Sequence, residues 1–248
     1  MTATATAGAS NVQIVLQSDA TTVNYLGDVT KGAFLWGADL RPANIGTSVP
    51  AYQRIADQYT YDSSGFPRYL KFDGIDDGMY TPANLNLSGT AQATVFAGVR
   101  KLDNTNALQL VELSTAVGSN VGAFSMPTND IGAGRWATYL SSSTGLVSAS
   151  AAGTTAPITT VNAGLYDIAL SADEARLRIN GTQVATSGAS SAGTGNFGTY
   201  PLFIGSRNNT TLFFNGYIYS LIVVGAASTA AQISSTESWI NVKEGGVF

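Results

Sequence analysis

The sequence predicts an all-β fold, an antiparallel two-sheet jelly-roll sandwich with one short C-terminal helix. Three observations carry this. Short runs of β-branched and aromatic residues recur about a dozen times between turn residues; an Asn180-Gly181 pair joins two alternating runs; and one segment near Ser228 has helical rather than two-residue periodicity.

The strands expected, in order, are Val12 to Leu16, Ala33 to Trp36, Tyr69 to Phe72, Thr94 to Lys101, Leu108 to Leu113, Gly122 to Met126, Arg135 to Leu140, Leu165 to Leu170, Ala175 to Ile179, Thr182 to Ala185, Leu202 to Ile204 and Phe213 to Val224. Several alternate strictly. In Ala175-Arg-Leu-Arg-Ile179, Leu177 and Ile179 share one face and Arg176 and Arg178 the other, so one side is core and the other wet. Asn180-Gly181 tolerates the two positive φ angles of a type I′ turn and predicts a tight hairpin. Ser141 to Pro157 and Thr186 to Tyr200 are rich in Ser, Gly, Ala and Thr with little periodicity, and read as loops or as hairpins with long tips.

Ser228 is the expected N-cap of the helix, Ile233, Thr236 or Glu237, and Ile240 follow at helical spacing, and Lys243 before Gly245-Gly246 is the stop. This helix should pack Ile233, Trp239 or Ile240 onto the sandwich. We expect residues 66–248 to form the sandwich, with residues 1–65 an N-terminal arm and leading strands packed on it or continuous with it.

Composition narrows the chemistry. The chain has 248 residues, a size at which roughly 70 to 75% of the unfolded surface can be buried, so a large core forms without staples. It contains neither cysteine nor histidine, which excludes disulfides, Cys/His zinc sites, cysteine nucleophiles and Ser-His-Asp triads. Twelve Lys and Arg against sixteen Asp and Glu give a net charge of -4 without a basic run, so nucleic acid is not an expected partner. Nor is a membrane, since the apolar stretch around Leu221 to Ala227 is far short of the ~20 residues that span one. Met1 to Ser10 has neither the positive nor the apolar region of a secretion signal, which points to synthesis in a cytosol.

The segment Tyr69-Leu-Lys-Phe-Asp-Gly-Ile-Asp-Asp-Gly78 resembles the LxFDGxDD opening of laminin-G-like, concanavalin A-like lectin/glucanase domains. Thr94-Val-Phe-Ala-Gly-Val-Arg100, Leu177-Arg-Ile-Asn-Gly-Thr-Gln-Val184, Pro201-Leu-Phe-Ile-Gly-Ser206 and Phe214-Asn-Gly-Tyr-Ile-Tyr-Ser-Leu-Ile222 resemble, in that order, the family's first core strand, hairpin and closing strands. The resemblance covers roughly residues 66 to 245 and implies a concanavalin A-like sandwich. The lack of cysteine, together with Gln13-Ile-Val-Leu-Gln-Ser18 through Asp39, is similar to modules in tailed-phage virion proteins. That likeness implies a head decoration, fibre or tail component, made in the host bacterial cytoplasm, with other virion proteins, further copies of itself and host surface polysaccharide as partners. A stand-alone carbohydrate-binding lectin is the alternative, and a glycoside hydrolase a third.

The residues themselves sort these readings. Glycosidases of this superfamily take paired carboxylates from a Glu-x-Asp-x-x-Glu type motif, whereas Glu112, Glu174, Glu237 and Glu244 have no such spacing, so a non-enzymatic role is expected. Aromatic faces bind sugars, and Trp136, Tyr139 and Tyr200 are the candidates, with Trp36 beside them; Trp136 and Tyr139 have opposite strand parity, so at most one faces the core. The resemblance also raises calcium, with Asp73, Asp76 and Asp77 as ligands, but no EF-hand spacing exists. We expect no cofactor, with Asp73-Gly74 forming a turn and the carboxylates capping backbone N–H groups. Val12, Ile14 and Leu16 form an apolar stripe suited to intermolecular contact by edge pairing.

Overall fold

The computed structural model describes residues 69–104, 107–128, 135–143, 145–152, 158–168, 174–187, 195–246 and 248. These belong to the second of two units, Met1–Asp62 and Ser63–Phe248, into which the chain divides. The strands expected over Val12 to Leu16 and Ala33 to Trp36, and the contact residues Val12, Ile14 and Leu16, lie outside the described residues, as does Trp36.

Fourteen strands and one α-helix are described: Leu70–Asp73 (β1), Met79–Tyr80 (β2), Leu85–Asn86 (β3), Gln92–Lys101 (β4), Leu108–Leu113 (β5), Ala123–Thr128 (β6), Arg135–Ser142 (β7), Gly145–Ala152 (β8), Ile158–Asp167 (β9), Glu174–Ile179 (β10), Thr182–Thr186 (β11), Thr199–Tyr200 (β12), Leu202–Ile204 (β13), Asn215–Val224 (β14) and Ala230–Lys243 (α1). Every strand pair is antiparallel. One six-stranded sheet, here sheet A, runs β1-β14-β4-β9-β10-β11; sheet B runs β2-β13-β5-β6-β7-β8; β3 and β12 pair separately. This is the expected sandwich.

Alternation places the core between the sheets. From sheet A come Phe72, Val95, Ala97, Val99, Tyr166, Leu177 and Ile218, and from sheet B Leu110, Leu113, Phe124, Met126, Trp136 and Leu140. The Tyr166 hydroxyl crosses the gap to donate to the Ser125 carbonyl at 2.9 Å, and its ring stacks on Phe124 at 5.0 Å. A buried hydroxyl so partnered ties the two sheets at one register. Burial pushes its pKa upward.

Sheet A is apolar on its outer side as well. Phe96, Val161 and Ala163 face away from the sandwich, with Leu165, Ile222 and Val224, and α1 covers them with Ile233 and Ile240. Trp239, one of the expected packing residues, points outward and is half exposed, because Ile233, Glu237 and Ile240 occupy the inward stripe. Thr229, one residue beyond the expected Ser228, is the N-cap. Its hydroxyl accepts from the Gln232 amide at 3.3 Å while Gln232 Oε1 accepts from the Thr229 amide at 2.8 Å. This reciprocal capping box outranks Ser228, whose third follower, Ala231, has no such side chain. Glu237 faces β10 and takes a two-pronged contact from Arg178, Nε to Oε1 at 2.8 Å and Nη2 to Oε2 at 3.0 Å. The outward parity of Arg178 therefore serves to hold the helix.

One loop expectation and one strand boundary are corrected. Gly145–Ala152 is a full strand paired along β7, and Val147 and Ala149 turn inward opposite Leu140 and Thr138. Small residues suffice there because Trp136 fills the space opposite Ala151. The strand expected over Leu165 to Leu170 instead runs Ile158–Asp167; its early half alternates in the reverse sense, with Val161 and Ala163 under α1 and the polar Thr160 and Asn162 facing inward.

The Asn180-Gly181 turn has φ values of 49° and 76°, as a type I′ turn requires, and Asn180 Oδ1 also accepts from the Val161 amide at 2.9 Å. Gly181→Val should destabilise the fold by about 1–2 kcal/mol, since a β-branched residue is strained at that φ. An unchanged urea midpoint would refute the turn assignment.

Candidate functional site

The strands of sheet A extend beyond the helix, and what they carry there is aromatic and basic. In β14, Ile218 points inward, so Tyr217 and Tyr219 point outward. A bulge between Ile218 and Ser220 keeps Tyr219 on that outer side without a paired partner. Tyr69 lies just before β1, and Lys71 on β1 stands directly opposite Tyr217. Across the other side of β14, Tyr217 stands opposite Arg100 on β4, and Arg100 opposite Thr159 on β9. Lys71, Tyr217, Arg100 and Thr159 thus form one row across four strands on a single face.

The tyrosines form one cluster. The Tyr69 ring lies 4.4 Å from Tyr217 and 5.8 Å from Tyr219, centroid to centroid, tilted to the first and edge-on to the second. Tyr69 is 51% exposed, while Tyr217 and Tyr219 are half-buried. Burial raises the Tyr219 hydroxyl pKa, a hydrogen bond with Thr159 and the charge of Arg100 lower it, and Glu244 and Tyr69 raise it. Offset aromatic faces beside hydroxyl, guanidinium and ammonium donors can stack on an apolar face of a ligand and hydrogen-bond its rim.

Glu244, the C-cap of α1, marks where helix cover ends. Its side chain lies over Gly98 of β4, in the row next to Arg100, and a Cβ at Gly98 would fall on the carboxyl group. Both carboxyl oxygens are buried without a hydrogen-bond partner among the described residues, and burial pushes the pKa up to about 9. A hollow of about 320 Å³ lies at the other end of the helix, lined by Leu165, Arg176, Arg178, Gln183, Ser228 and Ile233, with Arg178 already held by Glu237.

The residues singled out from sequence are not brought together. Trp136 is fully buried and offers no face to a ligand, because its parity on β7 points it into the sandwich, where Lys101 Nζ lies 5.5 Å above its ring. Tyr139, of opposite parity, is half-buried on the outer side of sheet B. The Tyr200 ring packs against Gly198, and its hydroxyl donates to the Val121 carbonyl at 2.9 Å. Tyr69, Tyr217 and Tyr219 escaped sequence reasoning, although Tyr217-Ile-Tyr219 has the spacing that puts two rings on one strand face.

The Asp73 to Asp77 segment is a tight turn. Asp73 Oδ1 accepts from the Ile75 amide at 2.8 Å and Asp77 Oδ2 from the Asp73 amide at 2.9 Å, with Gly74 at φ 81°. The exposed carboxylates of Asp73, Asp76 and Asp77 offer oxygens within 4.8 Å of one another, close enough to share a hard cation, while two of them already serve as backbone acceptors. No helix among the described residues is long and apolar enough to cross a membrane.

Residues 73–234 match the model of the family described as Concanavalin A-like lectin/glucanases superfamily. Among solved structures, the chain is similar to the native heptameric SAP-like pentraxin from Limulus polyphemus, at 15% identity over 67% of this chain and 80% of that one, with a TM-score of 0.51. Lower scores, 0.46 and 0.48, relate it to the Ruminococcus gnavus IT-sialidase CBM40 bound to alpha2,3 sialyllactose (17% identity; 67% of this chain, 98% of that one) and to domains LG4-5 of the mouse laminin alpha1 chain (12%; 65% and 42%). No curated protein sequence matches the chain. At these identities the likeness is one of fold.

The buried carboxyl makes stability depend on pH. Glu244 has a folded pKa of about 9 against an ordinary value of 4.5, so its contribution is fully present below about 4.5 and is lost as pH rises to about 9, by up to about 1.4 kcal/mol per pH unit. Lys101 acts oppositely and later: burial lowers its pKa to about 8 against the attraction of Asp103, which favours the folded state as pH rises from about 8 to 10.5. Glu244→Gln should flatten the decline in urea midpoint between about pH 5 and 8. A wild-type midpoint that does not fall across that range would show that Glu244 is not held protonated.

Proposed function

Because the chain belongs to the concanavalin A-like lectin/glucanases superfamily, we propose that it is a non-catalytic glycan-binding module whose binding face is the Tyr69, Tyr217 and Tyr219 cluster. The observation that carries the reading is that three rings share one sheet face, flanked by Lys71 and Arg100. Aromatic rings pack on the C–H face of a sugar, and the charged groups reach its hydroxyls. Non-catalytic action is supported by where two of the four glutamates go. Glu112 accepts from the Val117 amide at 2.6 Å and pairs with Arg207 at 2.9 Å, and Glu237 is held by Arg178. Neither is poised for proton transfer to a substrate.

The proposed setting is the surface of a tailed-phage virion, as head decoration, fibre or tail component, with Val12, Ile14 and Leu16 contacting neighbouring virion proteins or further copies of the chain. Its support is the resemblance of Gln13 to Ser18 through Asp39 and the lack of cysteine. A stand-alone lectin would use the same tyrosine face, and the two settings separate by whether the protein co-sediments with particles.

The full chain should be retarded in native gels cast with bacterial surface polysaccharide, and Tyr69→Ala/Tyr217→Ala should weaken retardation by about tenfold or more. A matching melting temperature would show the variant folded, and no reducing ends should appear. Retardation unchanged in the variant, or absent for the wild type across a polysaccharide panel, would refute the reading.

A further inference from the structure

We propose that the saccharide bound at the tyrosine face is an acidic one, bearing carboxylate or sulfate groups; the inference rests on the glycan-binding reading above. Its basis is the row of paired positions. Lys71 and Arg100 stand on either side of Tyr217, one strand away in each direction, so two cationic side chains bracket the ring at spacings of about 4.8 Å between neighbouring strands. Lys71 is exposed. Arg100 is half-buried, and its Nε is enclosed without a hydrogen-bond partner among the described residues. That Nε is enclosed, so what the row offers an anion is the positive charge of the half-buried guanidinium together with the exposed lysine as a point charge.

The acidic groups nearby lie outside the row itself: Asp73, Asp76 and Asp77 cluster in the turn beyond Lys71, and Glu244 lies one row towards the helix. Glu244, one row away over Gly98, carries a buried carboxyl that desolvation keeps protonated at neutral pH, so it adds no negative charge beside Tyr219. Asp73, one pleat beyond Lys71 on the same strand face, turns its carboxylate onto the Ile75 amide. The Tyr69 and Tyr219 rings complete the surroundings. In a chain of net charge -4, two of the twelve basic residues bracket one ring. That arrangement selects an anionic ligand over a neutral one of the same shape.

The experiment is titration calorimetry of the full chain with oligogalacturonate and its methyl ester, which differ only in charge, and with dextran sulfate and dextran as the sulfate arm. At about 50 mM salt the charged member of a pair should bind about tenfold tighter or more, and the preference should shrink at about 500 mM salt. The carboxylate and sulfate arms identify which anion is preferred. Lys71→Gln/Arg100→Gln should erase the preference, bringing the charged member of each pair to about the affinity of the neutral one, and Lys71→Arg/Arg100→Lys, which keeps both charges, should keep it. Equal binding of charged and neutral members, or a preference that survives in the double Gln variant, overturns this proposal and leaves the glycan reading standing. No binding of either member in both pairs overturns both.

Discussion

Strand β4 lies in the middle of sheet A between β14 and β9, and is buried on both of its sides from Ala93 to Val99, so the rest of the structure is arranged to keep water from each. Ala93, Val95, Ala97 and Val99 need the opposing sheet, and Phe96 needs the helix. Burying two faces of a ten-residue strand contributes more than any polar contact in the molecule, at roughly 25 cal/mol per Å² of apolar surface. The Arg178–Glu237 pair then fixes where the helix lies. With Glu237 2% exposed, its carboxylate would be left buried and alone without Arg178, so the pair specifies docking more than it adds stability.

The same constraint produces the candidate site. A 14-residue helix is about 21 Å long, whereas a ten-residue strand is about 33 Å, so α1 cannot cover the outer face of β4 from end to end. Glu244 stands at the limit of cover, over a glycine. Beyond it the face carries the row of Lys71, Tyr217, Arg100 and Thr159 in place of the aliphatic residues found under the helix. Tyrosine fits a partly wet sheet face, since its ring packs and its hydroxyl stays hydrated.

Much of the fold was legible because its signals are local. The alternation in Ala175 to Ile179, the Asn180-Gly181 turn and the helix before Gly245-Gly246 each depend on residues close in sequence. β8 was not, since its inward residues, Val147, Ala149 and Ala151, fill a core only where Trp136 and Leu140 supply the bulk. The site was the least legible part. Trp136 drew notice as a large aromatic, yet strand parity made it core; Tyr69 meets Tyr217 only because β1 pairs with β14 across most of the chain. The acidic motif residues, by contrast, behaved as local chemistry suggests, with Asp73 and Asp77 closing a turn on backbone amides.

The central claim is that ligand meets this chain on the helix-bearing sheet, beyond the end of α1. It is tested most directly by NMR of protein with ¹³C-labelled tyrosine rings, titrated with an acidic oligosaccharide. The eleven tyrosines include buried Tyr166 as an internal reference. The account predicts that the signals of Tyr69, Tyr217 and Tyr219 shift together along one binding curve while those of Tyr139, Tyr166 and Tyr200 stay in place. Shifts at Tyr139 or Tyr200 with the other three unmoved would contradict it.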